Sequence, residues 1–367
     1  MSRLDIVAVL GATLVAACSS SLSGEQRDGG AGGSDASSND ATAGESNDAA
    51  GDGAISARLP LVLVADVDLP GGATRFDYQD VDPDQGHLIV THMNDGSVLF
   101  LDLGDGSVLK EVKNIPAARG VVVADDVGLV FVTSSPSSLV LIDNKTMTET
   151  TRVGTGRGPD GVGWDPEDKV VGVSDQVDGA LSLIPDSGNG TRKQIELGIE
   201  TGNAIFDPSR GVFWITVVAE TPPDQLVGID PVAAEVKTTI DLPGCSGAHG
   251  LRLHPDGKTA FVACEANSLL ARVDLAQSTV IATAPTGMMP DVMEVDPGLG
   301  WIYVAAEDGD LTVFDITQPG VVPVGHHQPG PYAHSVAVDP ATHRVFFPLQ
   351  AGPNGTPVLR IMKPSGI

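Results

Sequence analysis

One short phrase recurs seven times along this chain: an apolar pair, usually Asp-Pro, a turn, then a short apolar run. It reads Asp80-Val81-Asp82-Pro83 before Leu88-Ile89-Val90, Val123-Ala124-Asp125 before Val130-Phe131-Val132, Trp164-Asp165-Pro166 before Val170-Val171, and Phe206-Asp207-Pro208 before Phe213-Trp214-Ile215. It continues as Leu253-His254-Pro255 before Phe261-Val262, Val295-Asp296-Pro297 before Ile302-Tyr303-Val304, and Val338-Asp339-Pro340 before Val345-Phe346-Phe347. With the proline position as the mark (Asp125 in the second unit), successive marks lie 42, 41, 42, 47, 42 and 43 residues apart.

A repeat of this length carrying four short apolar runs predicts an all-β, seven-bladed propeller of four-stranded blades. The sixth unit shows the layout: strands over Asp291 to Val295, Trp301 to Ala305, Leu311 to Ile316 and Val321 to Val324, separated by Asp296-Pro297-Gly298 and Gly309. Each run is strand length, rich in β-branched and aromatic residues, and bounded by turn formers. The last unit supplies only three runs, whereas an unassigned apolar run, Leu61 to Leu69, precedes the first. That run ends Asp68-Leu69-Pro70-Gly71, and the outer strand of the fourth unit ends Asp241-Leu242-Pro243-Gly244. The N-terminal strand is therefore expected to complete the last blade and close the ring, removing its open edges.

The turn and second strand of the units resemble the YVTN repeat of seven-bladed propellers, the group of YncE-like and surface-layer proteins. The residues that carry the resemblance are Ile89-Val90-Thr91-His92, Phe131-Val132-Thr133-Ser134, Gly172-Val173-Ser174-Asp175, Phe261-Val262-Ala263-Cys264 and Tyr303-Val304-Ala305-Ala306. Val153-Gly154 followed by Gly158-Pro159-Asp160 is similar to that family's approach to each first strand. The resemblance covers residues 59 to 367 and implies the fold; it implies no one function, because propellers host many.

Residues 1 to 17 read as a targeting segment: Arg3, an apolar stretch from Ile6 to Val15 too short to span a bilayer, then Ala16-Ala17 before Cys18. Small residues before a cysteine at that point resemble the lipobox of bacterial lipoproteins, which implies cleavage before Cys18 and lipid on its sulfur; an ordinary secretory leader is the alternative. Residues 18 to 57 are rich in Gly, Ser, Ala, Asp and Asn, cannot bury enough apolar surface to order themselves, and read as a tether. The propeller is assigned to residues 58 to 367. An anchored protein of the bacterial cell envelope, at the outer membrane or the cell surface, is the expectation, touching the membrane through its anchor alone.

The chain holds 48 acidic and 21 basic residues, a net charge of −27, most of it on the repeat domain. Such a surface repels nucleic acid and anionic lipid and favours cationic or metal ligands. A small molecule or a protein is the expected partner, and the propeller is expected to be monomeric.

Six residues before each mark stand Asp77, Arg119, Asp160, Gly202, His249, Asp291 and His334, nearly all polar within apolar surroundings. Nine or ten residues after it stand His92, Ser134, Asp175, Glu265 and Glu307. In a propeller both positions fall at one face, so these side chains are expected to form an inner ring and an outer shelf at one channel mouth. Asp77, His249, Asp291 and His334 come from blades adjacent in the closed ring and form the candidate metal set. His249 and His334 are the candidate bases, with His326 and His327 expected in a loop on the same face. Streptogramin lyase and gluconolactonase-like propellers place their chemistry at such a mouth, although no motif of either is matched. Two functions follow: a ligand-binding or protein-interaction scaffold, or a metal-assisted lyase or lactone hydrolase. A divalent metal cation is the one cofactor that the residues suggest. No haem-attachment motif supports a redox role.

Cys245 and Cys264 are expected to lie close together through pairing of the Leu251 and Phe261 strands. In an exported chain they form a disulfide, worth roughly 3 kcal/mol for a loop of this size, or with His249 and Met288 or Met289 they grip zinc or copper. Three patterns are decoys. Gly154 to Pro159 is glycine-rich but precedes a strand and lacks the P-loop lysine; Asp80, Asp82 and Asp84 lack the spacing of a calcium loop; and the glycosylation-type triplets at Asn144, Asn189 and Asn354 are irrelevant behind a bacterial leader.

Overall fold

The Asp of the repeated Asp-Pro acts locally, by capping a tight turn. Asp82, Asp165, Asp207, Asp296 and Asp339 each accept hydrogen bonds from backbone amides two or three residues on. Asp102, Asp143, Asp230, Asp274 and Asp315 do the same at the hairpin between third and fourth strands. These are Asx-type turns, in which a carboxylate occupies amides that the reversing chain leaves unpaired. Much of the acidity of the chain is thus committed to turns.

The computed structural model describes residues 58–367. The leader, Cys18 and the tether lie outside the described residues. The strands form seven antiparallel four-stranded sheets. Blade 1 comprises Gln79–Asp82, His87–His92, Ser97–Asp102 and Val108–Lys113; blade 6 comprises Pro290–Asp296, Trp301–Ala306, Leu311–Asp315 and Val322–His327. Blades 2 to 5 follow the same order, innermost strand first. Each inner strand packs on that of the next blade, and Ala337–Asp339 of blade 7 packs on Gln79–Asp82 of blade 1. The ring is closed.

Blade 7 is composite. Its strands Ala337–Asp339, Arg344–Leu349 and Val358–Ser365 are completed by Arg58–Asp68, which pairs antiparallel with Val358–Ser365. The register runs from Arg58 opposite Ser365 to Asp68 opposite Val358.

The second and third strands of the blades are largely buried, whereas outer strands such as Thr148–Gly154 face solvent. Their side chains fill the wedges between neighbouring sheets. Phe261 and Leu270 of blade 5, for example, pack against Met293, Ile302 and Phe314 of blade 6. Alternation along a strand lets both faces of one sheet serve two wedges. Full burial of such aromatic side chains is the main term holding one blade to the next.

A register irregularity interrupts five inner strands, between Ala118 and Val121, Pro159 and Val162, Thr201 and Ala204, Ala248 and Leu251, and Pro290 and Met293. Each spans the residue six before the mark. A bulge of this kind re-aims the side chain it carries, which is why a polar residue interrupts an otherwise apolar strand there.

Candidate functional site

The bulges aim Arg119, Asp160, His249 and Asp291 at one end of the central channel, where they line a cavity of about 380 Å³ together with Asp77, Glu265 and Glu307. His334 follows the same register and its imidazole lies 4.0 Å from Glu307 Oε2. Gly202, at the same position in blade 4, contributes no side chain; a Cβ there would stand 2.5 Å from the His249 carbonyl. Its absence lets blades 4 and 5 approach closely. Gly250 does the same beneath Asp291, whose carbonyl would be 2.2 Å from a Cβ.

Threonines eight residues after the mark fix this ring from behind. Thr133 Oγ1 donates to the Asp160 carbonyl at 2.7 Å and Thr216 Oγ1 to the His249 carbonyl at 2.6 Å. Thr91 holds the Tyr78 carbonyl through both its amide and its hydroxyl. Each bond ties a second strand to the segment that carries the cavity residues.

In blades 1, 2 and 3 the shelf differs from expectation. His92, Ser134 and Asp175, nine after the mark, turn back into their own blades. His92 stacks on Phe76 at 3.9 Å and bonds Thr74; Ser134 donates to the Pro116 carbonyl; Asp175 accepts from Ser182. The residues ten after the mark reach the cavity: Glu265 and Glu307, as expected, and Met93 and Gln176 in place of His92 and Asp175. Three of them open short 3₁₀ turns, Met93–Asp95, Gln176–Asp178 and Glu265–Asn267, closed by left-handed Gly96, Gly179 and Ser268. His326 and His327 are also displaced: both belong to the outer strand Val322–His327, and His326 pairs with Asp310 at 2.8 Å.

Besides Met93 and Asn94, three cavity residues were not foreseen from the sequence. Arg75, in the loop before blade 1, donates to Glu307 at 2.6 Å and lies 3.5 Å from Asp291. Tyr78 crosses the channel from blade 1, its hydroxyl 2.5 Å from Asn203 Oδ1 and 3.2 Å from Asp160 Oδ2. Gln176 accepts from Arg119 at 2.8 Å and donates to Glu200 at 2.9 Å. Their partner Asn203, which lies outside this lining, offered a signal as a polar residue within an inner strand.

Burial dominates the electrostatics. It raises Asp77 well above the ordinary carboxylate range, with Asp160 and Asp291 adding to the shift, and it raises Asp291 and Glu265 as well. Burial pulls the His249 imidazole down, but Asp160, Asp291 and Glu265 outweigh it and leave the ring more basic than usual. Its Nε2 sits 3.4 Å from Asp291 Oδ1 and 3.5 Å from Asp160 Oδ2. Glu307 is pushed up by burial, yet its hydrogen bond from Arg75 and the neighbouring His334 hold it below its usual value.

Tyr78 and Asn203 also line a second cavity, of about 290 Å³, further along the channel with Asp80, Trp164, Arg252 and Glu294. Arg252 and Glu294 pair there at 3.1 Å.

Beside the mouth, Cys245 and Cys264 form a disulfide with their Cα atoms 5.2 Å apart. Bonded to one another, the sulfurs offer no thiolate to a metal, and Met288 and Met289 stand exposed. In the decoy segment, Asp80 accepts the Val81 and Val123 amides and Asp82 accepts the Gln85 amide, so neither is free for calcium.

No protein-family model matches this chain, and no curated protein does. Among solved structures, Kuenenia stuttgartiensis hydrazine synthase superposes with a TM-score of 0.69 over 79% of this chain and 96% of that one, at 17% identity. At that identity the likeness is one of fold.

Proposed function

We propose that this protein is a ligand-binding scaffold of the bacterial cell envelope, lipid-anchored through Cys18, whose working surface is the acidic channel mouth. The observation that carries the reading is convergence. Four inner-strand bulges and two second-strand ends deliver charged side chains to one open cavity. A cavity of about 380 Å³ suits a small ligand, and its surplus of carboxylates favours a cationic one. The small residues before Cys18 support the anchor.

Calorimetric titration of the full chain with a panel of small amines and short cationic peptides tests the binding role. Saturable binding to the wild type that is lost on Asp160→Asn is expected; no binding across the panel, or binding indifferent to that change, sinks it. Palmitate labelling of cells tests the anchor, since Cys18→Ser is expected to abolish incorporation.

A second reading, a metal-assisted lyase or lactone hydrolase at the same mouth, is favoured by the environment of His249. An imidazole flanked by carboxylates in an open cavity is positioned to exchange a proton with a bound substrate.

A further inference from the structure

Asp77, Asp291 and His334 occupy one register position in blades 1, 6 and 7, which are neighbours in the closed ring. Ring symmetry therefore presents all three at one depth. Their ligand atoms lie within 4.8 Å of one another, a span that one ion can bridge. All three are buried, at 4, 6 and 2% exposure.

The hydrogen bonds of His334 decide what its ring can offer. Nδ1 lies 3.1 Å from the Tyr332 carbonyl, which can only accept, so in the neutral imidazole Nδ1 carries the proton and Nε2 is left with a bare lone pair. Nε2 has no hydrogen-bond partner although it is buried. A backbone carbonyl holding one imidazole nitrogen so that the other faces a cation is the usual support of a metal-bound histidine. Asp291 Oδ1 is likewise buried without a hydrogen bond, its nearest cationic neighbour being His249 Nε2 at 3.4 Å. Two buried acceptors without a hydrogen bond carry a desolvation cost that a bound cation would remove.

The charge balance points the same way. Asp77, Asp160, Asp291, Glu265 and Glu307 line the cavity against Arg75, Arg119 and His249. Counted as ionisable groups, the acids of the lining outnumber the bases by two. Arg75 and Arg119 are engaged by Glu307 and Asp160. Asp77 has no salt-bridge partner among the described residues.

We propose that Asp77, Asp291 and His334 bind one divalent cation on the floor of the mouth, with the remaining coordination positions open toward the cavity. Two carboxylate oxygens and one imidazole nitrogen suit a first-row ion of the Mn²⁺ or Zn²⁺ kind better than Ca²⁺, which takes oxygen ligands throughout. His249 stands outside this set, facing Asp160 and Asp291 as a counter-charge. The site deepens the reading of the mouth as a binding surface, because the ion would present itself to whatever ligand enters.

The test uses the full chain stripped with chelator and titrated with Mn²⁺, followed by electron paramagnetic resonance of the free ion, and with Zn²⁺ by calorimetry. One ion per chain at micromolar affinity or better is expected. His334→Ala and Asp291→Asn should each weaken binding at least tenfold, and exposed His326→Ala should not. Should His334→Ala lower the thermal midpoint of the metal-free chain, His334→Gln, which keeps a polar acceptor, is titrated in its place. Absence of stoichiometric binding, or undiminished affinity in the His334 and Asp291 variants, overturns the proposal. If cationic organic ligands still bind while the metal does not, the cation site fails and the binding surface stands; if neither binds, both fail.

Discussion

Asp66 and Arg360 are 294 residues apart in sequence and form a two-pronged ion pair, Nε to Oδ1 at 2.8 Å and Nη2 to Oδ2 at 2.6 Å. They stand directly opposite one another in the strand pair that closes the ring. The guanidinium also donates to the Pro329 carbonyl, so one side chain ties the first strand, the last strand and the segment entering blade 7.

Closure is therefore expected to be a property of the whole domain. Removing residues 58 to 69 uncovers the edge of Val358–Ser365 and should lower the thermal midpoint of the entire propeller in one cooperative transition, whereas removing residues 19 to 56 should not. Arg360→Ala alone, a partly exposed pair, should cost about 1 kcal/mol or less. Matching melting curves for the parent and both truncations would refute the assignment.

Reduction of Cys245–Cys264 should destabilise the domain by about 3 kcal/mol, since the crosslink closes a short loop in the unfolded chain. Denaturant unfolding with and without reductant measures this. The double change to alanine should reproduce the reduced midpoint and abolish the effect of reductant.

Stability of the metal-free protein should fall as pH rises. Burial pushes Asp80 up to about 7, and burial with Asp160 and Asp291 raises Asp77 well above its ordinary value. A carboxyl raised by folding keeps a proton that the unfolded chain releases, so its contribution is complete below about pH 4 and is lost as pH rises toward the folded value. His249, also raised, acts in the same direction, from below about 6.5 upward through its folded value. A higher thermal midpoint at pH 5 than at pH 8 is expected, with the difference reduced by Asp77→Asn. Equal midpoints at the two pH values would count against it.

Tyr78→Phe removes the hydroxyl that reaches Asn203 Oδ1 and Asp160 Oδ2. The buried Asn203 oxygen loses its donor, and a cost of about 1–3 kcal/mol is expected. Chemical denaturation of the variant reads it. A change within a few tenths of that of the parent would mean that water replaces the hydroxyl, and that the channel is wetter than its burial implies.

The fold was legible because its information is periodic. Blade number, strand number and the composite last blade all follow from spacing and from the match between Asp68 to Gly71 and Asp241 to Gly244. The inner ring was legible too, since Asp77, Asp160, His249 and Asp291 are polar where the pattern asks for apolar residues. The bulges that aim them were not, because a one-residue slip of register leaves no mark in composition. Three shelf residues, His92, Ser134 and Asp175, were misplaced for the same reason, whereas Glu265 and Glu307 were placed correctly. Alternation along a strand puts His92 and Asp175 on one side and their successors on the other, and only the 3₁₀ turns decide that Met93 and Gln176 reach the cavity. Arg75 lay beyond reach because its counterparts in other units, among them Ala117, Gly158 and Met289, share no chemistry with it.

The contact between Tyr78 and Asn203 makes the mouth a cup instead of a tube. Whatever enters from the acidic face meets the Tyr78 ring, which lines both cavities of the axis and is held across it by Asn203 and Asp160. Traffic in such a cup is last in, first out. An ion seated at Asp77, Asp291 and His334 would have to be loaded before a larger guest and would be locked beneath it, its exchange slowed for as long as the guest remains.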